Sequence, residues 1–149
     1  MLLKDYLPNI NKKFKNLNFS GLAFNSKEVK KNYIFIAIKG DRFDGNNYIN
    51  DAIKNGAKII ISSKFKDQIK NNIIYLKQKN PRQILSNLSS QIFKKKPINL
   101  IAVTGTNGKT SIANFYYQIL KKNKKKVASF GTLGISGKKK NRKHIKYHF

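Results

Sequence analysis

The chain has no cysteine in its 149 residues, only two histidines and only six acidic side chains. Without cysteine there is no disulfide framework, no thiolate metal site and no cysteine nucleophile. Two histidines do not make a Cys/His zinc site either. Long apolar runs are missing as well. Nothing approaches the roughly 20 apolar residues of a membrane-crossing helix. Met1-Leu2-Leu3-Lys4-Asp5-Tyr6-Leu7-Pro8 is too short an apolar stretch for a secretory signal and lacks a small-residue cleavage site. A cytoplasmic protein with no membrane partner is therefore expected. Arginine is scarce too: of 32 basic residues, only Arg42, Arg82 and Arg142 are arginine.

That scarcity governs how the net charge of +26 is read. Nucleic-acid readers favour the bidentate guanidinium fork, whereas this chain is crowded with Lys, Asn and Ile, the residues an A/T-rich coding sequence supplies. The charge therefore reads as solvated lysines spread over the surface, with no specific nucleic-acid site. A field this positive should still draw phosphorylated small molecules toward the chain. Apolar residues at 40% and aromatics at 11% suffice for a core and exclude full disorder. The length suits one domain, or one small domain and part of another.

The apolar pattern alternates between two periods. Tyr33-Ile34-Phe35-Ile36-Ala37-Ile38 reads as a buried strand, as do Lys58-Ile59-Ile60-Ile61-Ser62 and Ile73-Ile74-Tyr75-Leu76. Between the first two, Ile49, Ala52 and Ile53 share a helical face over Tyr48 to Asn55, with Gly56 as the stop. From Pro81, suited to a first helical turn, Ile84, Leu85, Leu88 and Ile92 recur at helical spacing. Lys94-Lys95-Lys96-Pro97 marks a boundary. A strand over Ile98 to Val103, a helix carrying Ile112, Phe115, Tyr116, Ile119 and Leu120 on one face, and a strand over Val127 to Phe130 would make a βαβ unit of a parallel sheet. Ser136 to Phe149 is basic and without period, and is expected to be disordered. The fold class is α/β: a first domain over 1–97, the opening of a parallel-sheet domain over 98–135 that stops early, and a basic tail over 136–149.

Between the expected strand and helix stands Thr104-Gly105-Thr106-Asn107-Gly108-Lys109-Thr110-Ser111. Glycines let the backbone turn so that successive N–H groups face an anion, and a helix N-terminus adds partial positive charge. Lys109 can reach β- and γ-phosphates, and the Thr110 hydroxyl can hold Mg²⁺. Gly105 and Gly108 are two residues apart where the common phosphate loop has four, which makes this a shorter variant. The segment is a nucleotide-phosphate site.

Thr104 to Ser111 resembles the ATP loop of the Mur ligase family, which assembles the peptide of bacterial cell-wall precursors. Two further segments agree. Asn25-Ser26-Lys27, then Asn32 to Gly40, then Asp44-Gly45, resemble the family's uridine-nucleotide-binding N-terminal domain, with Asn-Ser-Lys where Asp-Ser-Arg is usual. Phe130-Gly131-Thr132-Leu133-Gly134 resembles the strand and turn that come after the ATP-loop helix. Within the family, Gly-Thr-Asn-Gly-Lys-Thr-Ser with a later Gly-Thr-Leu-Gly favours the ligase that adds the third amino acid. The ligase adding D-Ala-D-Ala typically reads Gly-Ser-Asn-Gly-Lys-Thr.

The resemblance implies an ATP- and Mg²⁺-dependent amide ligase whose partners are a UDP-MurNAc-dipeptide and a diamino acid, acting as a monomer. The D-Glu carboxylate of UDP-MurNAc-L-Ala-D-Glu would attack the γ-phosphate, and the amine of diaminopimelate or lysine would take the resulting acyl phosphate. Carried over by position, Gly105, Thr106, Asn107, Gly108, Lys109, Thr110 and Ser111 would bind ATP, with Lys109 catalytic and Thr110 on the metal. Phe24, Ser26, Asp41, Arg42, Phe43, Asp44 and Gly45 would bind the uridine nucleotide. Core packing would explain Phe24 and Phe43 equally well, and a plain turn would explain Asp44-Gly45. The family's acidic Mg²⁺ partner, modified lysine and amino-acid pocket have no counterparts here, so these residues alone are expected to bind nucleotide weakly and not to ligate. The alternatives are the D-Ala-D-Ala-adding ligase, another phosphate-loop transferase and a basic nucleic-acid-binding module.

Overall fold

The computed structural model describes residues 1–41 and 43–137. Two compact units divide the chain, Met1–Lys96 and Pro97–Phe149.

The first unit is built on five strands, β1 (Gly21–Ala23), β2 (Tyr33–Ile36), β3 (Ala57–Ser62), β4 (Gln68–Lys70) and β5 (Ile73–Lys77). Their spatial order is β1-β2-β3-β5-β4, parallel throughout except for the antiparallel edge strand β4. Helix α1 (Ile49–Lys54) connects β2 to β3, and α2 (Pro81–Ile92) comes after β5. A sheet of parallel strands is covered on both faces, so its strands read as unbroken apolar runs. Here Ile34, Ile36, Ile59, Ile61, Ile74 and Leu76 face one way, packed with Leu3, Leu7, Phe14, Phe19 and Leu88. Phe35, Ala37 and Ile60 face the other way, packed with Val29, Ile49 and Ala52. The alternation of side chains along each strand thus sends one run into two cores.

Helix ends obey local chemistry. Asn80 accepts from Gln83 N at 3.1 Å, with Pro81 at the first helical position. Gly56, at φ +106°, closes α1, and a Cβ there would stand 2.9 Å from Lys31 Cα. Helix α1 is shorter than expected, because Gly45–Tyr48 forms a 3-10 turn ahead of it. Strands β1 and β4 carry no clear sequence signal: each is three residues long, and β4 is exposed throughout.

The second unit departs from expectation. Helix α3 (Lys109–Lys122) forms as foreseen, but the residues expected as the strand Ile98–Val103 are not in a strand. The strand expected at Val127–Phe130 is β6 (Ser129–Gly131), which pairs antiparallel with β7 (Gly134–Ser136) as a hairpin. The described residues of this unit contain no parallel βαβ arrangement. A strand is defined by its ladder, and an apolar run with no neighbouring backbone to pair with stays irregular. Ile98 and Leu100 are accordingly exposed, as are Ile112, Phe115, Tyr116 and Ile119 on the apolar face of α3. Ser136, placed in the tail by the sequence, belongs to β7. Residues 138–149, the rest of that tail, lie outside the described residues.

Candidate functional site

In the first unit, the carboxyl ends of the parallel strands bring together segments far apart in sequence. Phe24, Asn25 and Ser26 come after β1, residues 37–45 after β2, and Ser63 and Lys64 after β3. In open α/β sheets this edge is where ligands bind. Phe24 and Phe43 are 49% and 59% exposed, so neither is core packing. Ser26 is buried, and its carbonyl accepts from Val29 N at 3.3 Å and from Asn55 Nδ2 at 2.9 Å. Asn25 Oδ1 accepts from Lys27 N at 3.1 Å, which caps the short 3-10 turn Ser26–Glu28. Asp41 is exposed. Arg42, also expected here, lies outside the described residues.

The loop after β2 is held by its own backbone. Gly40 N donates to Phe43 O at 2.9 Å, Gly45 N donates to Ile38 O at 2.9 Å, and Lys39 bridges Asp44. Asp44-Gly45 is therefore more than a plain turn. Asp44 Oδ1 accepts from Asn46 N at 2.9 Å and from Asn46 Nδ2 at 2.5 Å, capping the 3-10 turn that leads into α1. Its other oxygen, Oδ2, takes a hydrogen bond from Lys64 Nζ at 2.8 Å. The Lys64 ammonium, with help from Asn46, holds the Asp44 carboxyl well below the usual carboxylate range. Lys64, Asn46 and Ser62 were not singled out by the sequence. Lys64 is one lysine among many in a basic chain, and no spacing marks it.

In the second unit, the glycine loop leads into α3. Gly105 and Gly108 have φ of +148° and +75°, and Gly108 sits in the left-handed region as the N-cap of α3 without any side-chain cap. The first amides of a helix have no intrahelical partner, so those of Lys109, Thr110 and Ser111 are open to an anion. Lys109 Nζ folds back onto its own loop, donating to Gly105 O and to Thr106 O, the latter at 2.8 Å. Thr110 Oγ1 lies 3.4 Å from Thr132 Oγ1 in the β6–β7 turn. Gly105 to Ser111 are all exposed. Among the described residues no cluster of three or more His, Asp or Glu side chains could hold a metal alone. Among those residues too, no helix is long and apolar enough to cross a membrane.

Comparison with known proteins gives the strand-end edge of the first unit and the glycine loop of the second a family. Residues 18–97 match the Mur ligase family, catalytic domain, and residues 103–148 match the Mur ligase middle domain. The chain belongs to the Mur ligase family. It is 41% identical over 127 residues to the UDP-N-acetylmuramoyl-L-alanyl-D-glutamate–2,6-diaminopimelate ligase of Rickettsia typhi, covering 85% of this chain and 25% of that protein. A solved structure of a ligase of the same name superposes with a TM-score of 0.68 at 26% identity, covering 91% of this chain and 28% of the other. The MurF ligase of Thermotoga maritima, solved with ADP, superposes with a TM-score of 0.52 at 32% identity, over 68% of this chain and 23% of that one. The chain thus spans about a quarter of the length of the relatives it matches.

Proposed function

We propose that the chain carries the uridine-nucleotide-binding unit and the ATP loop of the ligase that joins 2,6-diaminopimelate to UDP-MurNAc-L-Ala-D-Glu. The observation that carries the reading is the segment Gly105–Ser111: a left-handed Gly108 hands an uncapped helix N-terminus, a lysine and a hydroxyl to one exposed loop. Relatives named for diaminopimelate, and a fuller superposition on that ligase than on the MurF ligase, favour the third-amino-acid step over the D-Ala-D-Ala step.

In this reading the two units divide the labour. Phe24 and Phe43 offer exposed aromatic faces to the uracil ring, while Ser26, Asp41, Asp44 and Gly45 meet the ribose and diphosphate. The amides of residues 105–111 and the Lys109 ammonium take the ATP phosphates, with Lys109 exchanging its present carbonyl partners for phosphate oxygens. Thr110 suits Mg²⁺ as one oxygen ligand, with phosphate oxygens and water completing a shell that the described residues do not fill. When bound, the ion neutralises charge on the transferring phosphoryl group. The D-Glu carboxylate takes the γ-phosphoryl group from ATP and releases ADP, and the diaminopimelate amine then displaces phosphate to form the amide.

Separate titrations of UDP-MurNAc-L-Ala-D-Glu and of Mg·ATP onto the 149-residue chain test the reading. Binding of the first that survives raised salt, is weakened by Ser26→Ala and is indifferent to Lys109→Ala is expected. Binding of the second should also survive raised salt, but be weakened by Lys109→Ala and indifferent to Ser26→Ala. Equal loss of both ligands with salt, and no response to either substitution, would reduce the binding to the lysine field and overturn the assignment.

A further inference from the structure

We propose that Lys64 is a positioning residue of the uridine-nucleotide site, acting through Asp44 to hold the loop that carries Asp41 and Phe43 at the carboxyl edge of the sheet. The proposal rests on the assignment of that edge to the uridine nucleotide. It adds a residue that lies outside every sequence motif of the site.

The reason begins with strand order. β2 and β3 are neighbours and parallel, with Ile36 opposite Ile61, so the segments leaving Ile36 and Ile61 emerge side by side. The loop after β2 is long and turns back on itself: Ala37 N donates to Ile61 O of β3 at 2.9 Å, but beyond Ala37 the backbone bonds close the loop locally without reaching β3. The anchor is made of side chains. Ser62 is fully buried at the end of β3. Its hydroxyl donates to Asn46 Oδ1 at 2.6 Å and accepts from Lys64 N at 3.1 Å. Asn46 in turn donates to Asp44, and Lys64 Nζ reaches the other Asp44 oxygen at 2.8 Å. Asp44 is thus gripped from both sides, by the first turn beyond it and by the residue just past β3.

The Lys64 side chain is half exposed, whereas that of Asp44 is only 21% exposed. A pair so placed contributes little to global stability. Its consequence is local: it removes a freedom that the loop would otherwise lose only on binding ligand, and preorganisation of that kind appears in affinity. A structural role for Lys64 in the fold would look different, because stability and affinity would fall together.

The test compares Lys64→Ala, Lys64→Arg and Lys70→Ala in the full chain. Lys70 lies on edge strand β4, paired with Ile73 at the start of β5 and therefore at the opposite edge of the sheet. Its removal costs the same unit of charge without touching the clamp. Lys64→Ala should weaken UDP-MurNAc-L-Ala-D-Glu binding about 3- to 10-fold, the cost of ordering one or two loop side chains. The urea midpoint should be unchanged, Lys64→Arg should recover most of the affinity, and Lys70→Ala should bind as wild type. In the absence of ligand, the amide protons of Gly40 and Gly45 should exchange faster in Lys64→Ala than in wild type. Equal affinities for the two alanine variants, or a loss that tracks the urea midpoint and is not recovered by arginine, would overturn the proposal. If the wild-type chain binds no uridine nucleotide, the assignment of the edge fails. The exchange comparison then still decides the clamp, because unchanged exchange at Gly40 and Gly45 would refute it by itself.

Discussion

Replacing Gly45 with alanine should cost more stability than its position in a surface loop suggests, and the cost can be worked from contacts. The Gly45 backbone lies outside the left-handed region, so alanine can adopt it without torsional strain. Space is the obstacle. A Cβ at this position would stand 2.7 Å from Ile38 N, 2.8 Å from Ile38 O and 3.2 Å from Ala37 C, all main-chain atoms that no rotamer change can move aside. Contacts to carbon settle near about 3.5 Å, so the two segments must part by about 0.8 Å. That separation would also break the 2.9 Å hydrogen bond from Gly45 N to Ile38 O. Overpacking of this kind costs about 1–3 kcal/mol, and the lost hydrogen bond about 1 kcal/mol. Against these stands a gain of about 0.4–1 kcal/mol from the stiffer unfolded chain. The balance is a loss of about 1–4 kcal/mol, centred near about 2 kcal/mol.

With a denaturant slope of about 2 kcal/mol per molar, the middle of the range for small proteins, the urea midpoint measured by far-UV circular dichroism should fall by about 1 M. Gly40→Ala supplies the control from the same loop. A Cβ there meets only Phe43 O, at 3.4 Å, an ordinary contact. Its midpoint should stay within about 0.3 M of wild type, as for a substitution that meets no special feature. A Gly45→Ala chain that unfolds with the wild-type midpoint would refute the close approach of Gly45 to the Ala37–Ile38 backbone.

The same contacts carry three other expected outcomes. Leu88, the fully buried residue of α2, packs with Ile84, Leu85 and Ile92 on the core that holds Ile34, Ile59 and Ile74, so Leu88→Ala should lose about 2–5 kcal/mol in urea unfolding and Leu88→Met less than about 1.5 kcal/mol; an exposed-residue response from Leu88→Ala would contradict that seating. Because the Asp44 pKa is lowered on folding, its contribution to stability is fully present above the ordinary carboxylate value near 4 and is lost as pH falls from there through the folded value. Asp44→Asn should therefore flatten the acid side of the stability curve only slightly, because the half-exposed Lys64 partner is screened and the Asn46 hydrogen bonds share the stabilisation; an unchanged acid slope would show that the ionised Asp44 carboxylate gains nothing on folding. Lys109→Ala should weaken Mg·ATP binding at least 10-fold while leaving helix content unchanged, as expected for a lysine whose partners are the carbonyls of an exposed loop and not the core; binding that persists would place the phosphates elsewhere.

How much of the fold was legible in the sequence depends on which forces act locally. Ile34, Phe35, Ile36 and Ala37 announce a strand buried on both faces because both packing partners lie within the same unit. Pro81 announces the start of α2 because its fixed backbone suits a first helical turn, and the structure adds the Asn80 cap, satisfied within one turn. The glycine loop was equally legible, since Gly105 and Gly108 supply backbone conformations that few other residues adopt. Ile98 to Val103 carry as strong a strand pattern as β3, yet a pattern states only what would be buried, not whether a neighbour is there to complete the ladder. The hairpin of β6 and β7 shows the converse: Gly134, at φ +87°, allows a tight turn in which two short segments satisfy each other at once, whereas a parallel strand must wait for a distant partner. Lys64 was illegible for a third reason. Its role depends on two strands being adjacent and in register, so that a lysine twenty positions from Asp44 meets it at 2.8 Å. A motif can record the loop, but the side chain that holds the loop is assigned by the sheet, and in a chain with 32 basic residues only the fold distinguishes it from the rest.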